Sequence, residues 1–175
     1  MDSDRKHLTS VLRQAVAHRG AALVEIYQNC PIFNDGAFDV LKDRESAQAR
    51  LVPLEHGVPI RFGTPAADGL GSRGVARRRD GLLEIVDVDP SDTGALLVHD
   101  AGAPDPSVQF ALSRLDDPSM VHVPVGVFRS VSRPTYDDMV RAQVASAVES
   151  ARGPAADDDL ARLLAGSDTW TVDAP

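Results

Sequence analysis

Apolar residues near the N-terminus fall at Leu8, Val11, Leu12, Ala15 and Val16, the spacing of a single helical stripe. Ser3 or Asp4 stands where such a helix needs a cap, and Gly20 stands where one stops. The run Ala21-Ala22-Leu23-Val24 is apolar without alternation. That pattern predicts a strand covered on both faces, the habit of parallel sheets. A helix followed by a buried strand is the second half of a βαβ unit. No strand pattern precedes this helix, so the unit reads as open, and a lone central strand leaves backbone groups unpaired.

Further along, the pattern changes to short strands and turns. A short helix is predicted over Ala37 to Asp43, after Asp35-Gly36. Leu51 to Glu55 and Val58 to Phe62 flank His56-Gly57, a two-residue hairpin signal. Thr64 to Gly74 is rich in Gly, Ala and Pro and predicts a mobile loop. A second hairpin joins Val75–Arg79 to Leu82–Val88 through Asp80-Gly81, and Asp89-Pro90-Ser91-Asp92 breaks it. Ala95 to His99 predicts another strand. A helix then starts at Asp105 or Ser107 with Val108, Ala111, Leu112 and Leu115 on one side. Val121 to Val131 predicts a strand with Pro124 at an edge or bulge. Thr135 to Arg152 is the longest helical stretch, with Asp137 and Asp138 in its first turn, where the helix dipole favours them. Gly153-Pro154 ends it, and Asp157 to Ala165 predicts a last helix. No internal repeat or heptad is present.

Length and composition narrow the class. The 175 residues suit one domain, or one domain with an appendage. At 43% apolar residues the chain is too hydrophobic to stay disordered. A net charge of -8 argues against an extended nucleic-acid surface, because phosphate binding needs clustered Lys and Arg. The one basic cluster, Arg73 with Arg77, Arg78 and Arg79, reads first as a solvated hairpin and second as a docking patch for an acidic partner. No apolar run approaches the roughly 18 residues of a membrane span, and the charged start is unlike a signal peptide. A single cysteine excludes an internal disulfide framework. These features predict a soluble, cytoplasmic protein.

That cysteine, Cys30, follows the predicted strand in a polar turn with Gln28, Asn29 and Asn34. Four readings stand side by side. It is a buried small hydrophobe, against which those polar neighbours argue, a nucleophile requiring a base, a metal site of its own, which one Cys cannot hold for zinc or an iron-sulfur cluster, or one ligand of a metal site whose other ligands lie elsewhere. Five histidines (His7, His18, His56, His99 and His122) offer partners, but no spacing singles one out. Asp68-Gly-Leu-Gly-Ser-Arg-Gly follows no strand and is not a credible phosphate loop. Asp157-Asp158-Asp159 reads as a helix start, Asp116-Asp117 before Pro118 as a turn, and Trp170 as a packing anchor.

The run VEIYQNCPIFNDGAFDVLKDR, followed by LVPLEHGVPIRFG, closely resembles the beta subunit of 2-oxoacid:ferredoxin oxidoreductases, with the 2-oxoglutarate type nearest. The likeness continues in order through LVHDAGAPDPSVQFALSRL, VPVGVFRSVSRPTYD and LLAGSDTW. It implies an α/β chain forming the C-terminal part of a thiamine-diphosphate-binding fold. Residues 1–45 would be the last αβ unit of that domain, and 46–175 the C-terminal region of hairpins, then helices. The implied chemistry is coenzyme-A-dependent oxidative decarboxylation of a 2-oxoacid on thiamine diphosphate with Mg²⁺, with electrons leaving through a [4Fe-4S] cluster to ferredoxin. The implied partner is an alpha subunit.

The resemblance places Cys30 at the position of the fourth cluster ligand. Asn29, Asn34, Asp35 and Gly36 form the turn around it, either touching cofactor or substrate or simply shaping the loop. The family's Cys-x-x-Cys, its third cluster cysteine and its Gly-Asp-Gly segment with the Mg²⁺-holding Asn are absent from these 175 residues. The chain is expected to correspond to the C-terminal half of a beta subunit and to be inactive alone. A non-catalytic module docking on an alpha subunit or on a separate N-terminal beta piece is the alternative. A Cys-dependent hydrolase is a third reading and requires a His beside the Cys30 sulfur.

Overall fold

A computed structural model describes residues 1–65, 69–89, 94–115, 118–151, 157–167, 170 and 172. Contacts divide the chain into two compact units, Met1–Arg133 and Pro134–Pro175. The first is mixed α/β, with a parallel strand pair and a three-stranded antiparallel sheet.

Helix α1 (Arg5–Ala17) forms where the stripe predicts. Asp4 caps it by accepting the His7 backbone N–H at 3.0 Å. It stops at His18, whose backbone turns extended, earlier than Gly20. The strand expected at Ala21–Val24 does not form. Residues 18–20 bend and 21–29 join no ladder, and Leu23 is 91% exposed. Among the described residues, a strand patterned for cover on both faces finds no neighbouring strand to pair with. Its far end is tied down: the Asp2 backbone N–H donates to the Tyr27 carbonyl at 3.1 Å.

The short helix expected over Ala37–Asp43 is a 3-10 turn at Asp39–Leu41. A helix that the pattern did not announce, α2 (Arg44–Arg50), follows. Its signal was present as Asp43, whose carboxylate accepts the Ser46 N–H at 2.9 Å and caps the first turn.

The predicted first hairpin is corrected. Strand β1 (Leu51–Leu54) does not pair with the strand beyond His56-Gly57. It runs parallel to β5 (Val123–Gly126), with Leu51 opposite Val123 and Leu54 opposite Gly126. His56-Gly57 does turn the chain, with Gly57 at φ 78, but it hands the chain from one sheet to the other. The apolar pattern of β1 is satisfied equally by either partner, and burial decides: Val52 and Val123 are fully buried.

Strand β2 (Arg61–Pro65) and strand β3 (Gly71–Arg77) overturn the mobile loop expected over Thr64–Gly74. They pair antiparallel, Arg61 against Gly74 and Phe62 against Arg73. The glycines serve close approach here: a Cβ on Gly71 would run into the Phe62 carbonyl, and one on Gly74 would lie 2.6 Å from Leu96 Cδ2. The second predicted hairpin holds, β3 pairing with β4 (Leu83–Asp87) across Asp80-Gly81 in register Arg77 with Leu83. The expected strand at Ala95–His99 appears as two isolated bridges, Leu96 to Ala76 and Val98 to Pro59.

Helix α3 (Ser107–Ser113) presents the predicted face. Leu112 is fully buried with Val52, Leu54, Ile60, Phe62 and Val75, and Val108 and Leu115 pack against that cluster. Strand β5 is much shorter than the eleven residues expected, because the chain beyond Gly126 leaves the ladder. Arginines latch the surrounding loops by donating to backbone carbonyls: Arg50 to Met120 at 2.9 Å, Arg61 to Gly71 at 2.9 Å and Arg129 to Ala103 at 2.7 Å. Arg73 donates to the Ala49 carbonyl and lies over the Phe62 ring, 4.8 Å from its centroid. It therefore leaves the predicted solvated cluster, whereas Arg78 stays on the hairpin, paired with Asp80 at 2.9 Å.

In the second unit, α4 (Tyr136–Ser150) starts with a capping box between Thr135 and Asp138. Helix α5 (Asp157–Ala165) forms as predicted. Trp170, expected to anchor packing, is 85% exposed. Asp68, Pro90 to Asp92, Asp116-Asp117 and Gly153-Pro154 lie outside the described residues. Among the described residues no helix is long and apolar enough to cross a membrane.

Candidate functional site

Cys30 opens a tight turn. Its carbonyl accepts the Asn34 backbone N–H at 2.9 Å, and Cys30 and Asn34 form an isolated bridge around Pro31, Ile32 and Phe33. That closure points successive backbone N–H groups at the sulfur. The Cys30 thiol is lowered from its ordinary value, first by the Phe33 backbone N–H, then by that of Ile32, with Asn34 adding a smaller share against a small desolvation cost. Backbone donors favour the anionic form of the group they face. The turn thus favours, in a half-buried thiol, the thiolate form, which is the form that attacks and the form that ligates. Among the described residues, no titratable side chain accompanies Phe33, Ile32 and Asn34 as a cause of that lowering. No histidine is among those causes, and the hydrolase reading requires one beside the sulfur.

The neighbouring polar side chains brace this turn. Asn29 Oδ1 accepts the Gly36 N–H at 2.8 Å, and Asn29 Nδ2 donates to Asp35 Oδ1 at 3.0 Å. The Asn29 backbone N–H donates to Asp2 Oδ2 at 3.4 Å. Gly36 sits at φ 73, which glycine tolerates without strain. Tyr27 stacks on Phe38 with centroids 4.9 Å apart, closing the base of the loop. Thus Asn29, Cys30, Asn34, Asp35 and Gly36 are brought together, with Asn29, Asp35 and Gly36 bonded to one another.

A diphosphate-bound Mg²⁺ needs free oxygen ligands, but both ends of the Asn29 amide are engaged. Among the described residues no group of three His, Cys, Asp or Glu is placed to hold a metal ion. These residues do not fit a thiamine diphosphate site by themselves. A [4Fe-4S] cluster takes cysteine thiolates, and Cys30 fits one such ligand position. Ile32 and Phe33, within the same turn, are 83% and 88% exposed.

Sequence reasoning missed a second concavity. A cleft of about 670 Å³ opens at the carboxyl ends of β1 and β5 beneath α1, with His7, Ser10, Gln14, Glu55, His56 and Ser130 on its walls. His56 Nδ1 accepts the Ala101 backbone N–H at 3.2 Å. The same nitrogen lies 3.5 Å from Asp100 Oδ1. The only advance signal was Gly57, which turns the chain at the end of β1. His99 is fully buried within the fold, its Nε2 2.8 Å from the Val127 carbonyl.

No family model matches the chain, and no solved structure does. One curated protein, 2-oxoglutarate oxidoreductase subunit KorB of Mycobacterium tuberculosis, is 49% identical over 173 residues. The match is to the C-terminal portion of an oxidoreductase beta subunit. It takes in 99% of this chain and 44% of KorB, so the chain spans less than half the length of that relative.

Proposed function

We propose that this chain serves as the C-terminal portion of the beta subunit of a 2-oxoglutarate:ferredoxin oxidoreductase. In that role residues 1–45 close the thiamine domain and residues 46–175 form the region behind it. The observation carrying this reading is the Cys30 turn, where three backbone N–H groups favour a thiolate at the position the family resemblance gives to the fourth cluster ligand. The cluster would draw its other three thiolates, and thiamine diphosphate with Mg²⁺ its diphosphate ligands, from protein outside these 175 residues. A bound [4Fe-4S] cluster supplies one-electron transfer to ferredoxin. The chain's own residues present the fourth thiolate, lower the proton affinity of its sulfur through the Phe33, Ile32 and Asn34 amides, and fix the loop through Asn29 and Gly36. Coenzyme A and the 2-oxoacid are the substrates, and a matching alpha subunit is the partner.

The test is assembly of this chain with the portion of a KorB-type subunit it lacks and with an alpha subunit, without oxygen. The expected outcome is 2-oxoglutarate-dependent ferredoxin reduction that Cys30→Ala abolishes, with iron content falling by about one atom in four if the cluster loses its corner iron. Full activity and full iron in Cys30→Ala would overturn the assignment.

A further inference from the structure

We draw no further inference here: the strongest candidate, the cleft of about 670 Å³ at the carboxyl ends of β1 and β5 beneath α1, carries nothing, because walls that set the Glu55 carboxylate beside the His7 and His56 imidazoles select no one class of ligand and nothing in a chain spanning 44% of its relative shows what covers it.

Discussion

Two stretches of the first unit are both rich in apolar residues and meet opposite fates. From Leu51 to Phe128 the strands find partners, and Val52, Val75, Leu112 and Val123 are fully buried. From Ala21 to Tyr27 the same residue types stay in the open. The difference is one of available neighbours, not propensity: β1 recruits β5 from some seventy residues away, whereas nothing among the described residues offers Ala21–Val24 a second strand. Burial of a leucine-sized side chain contributes about 1.5–3 kcal/mol, a contribution that the exposed Leu23 does not make.

The contrast can be broken at several points, and the core should break hardest. Leu112→Ala removes the residue that α3 buries against Val52 and Phe62, and should cost about 2–5 kcal/mol in urea unfolding followed by circular dichroism. Gly71→Ala forces a methyl against the Phe62 carbonyl and should cost about 1–3 kcal/mol by the same measurement. Arg73→Met deletes the latch to Ala49 and the contact over Phe62, at about 1–1.5 kcal/mol. Leu23→Ala, in the chain by itself, should lie within about 0.5 kcal/mol of wild type. A loss there as large as at Leu112 would erase the distinction between the two stretches.

The smallest expected effect is chemical and concerns pH. With the Cys30 thiol lowered by the Phe33 and Ile32 amides, its alkylation rate should reach half-maximum below the value of about 8.5 for an ordinary cysteine, and return to it in urea. The sign follows: the folded form binds the proton less tightly, so the associated stabilisation is present above the unfolded thiol's value. It fades as pH falls through the folded one.

How much of this was legible in the sequence divides along the same line. Helices with a clear stripe or cap, α1, α3, α4 and α5, could be read directly, as could the Asp80-Gly81 hairpin. Partner choice could not. The alternation in β1 is the same whether its neighbour is β2 or β5, and only the burial of Val123 decides. Glycines between Gly69 and Gly74 read as flexibility because composition does not distinguish a loose loop from strands that approach too closely for side chains. The Cys30 turn was visible as an unusual thiol among amides. The backbone N–H groups that favour its thiolate belong to geometry, which residue names do not carry.

The central claim, that Cys30 supplies a cluster ligand, is tested most directly by Mössbauer spectroscopy of ⁵⁷Fe in the assembled alpha–beta complex, wild type against Cys30→Ala. The account predicts a [4Fe-4S] spectrum in the wild type and conversion to a three-iron species or loss of the cluster in the variant. An unaltered [4Fe-4S] spectrum in Cys30→Ala would contradict it.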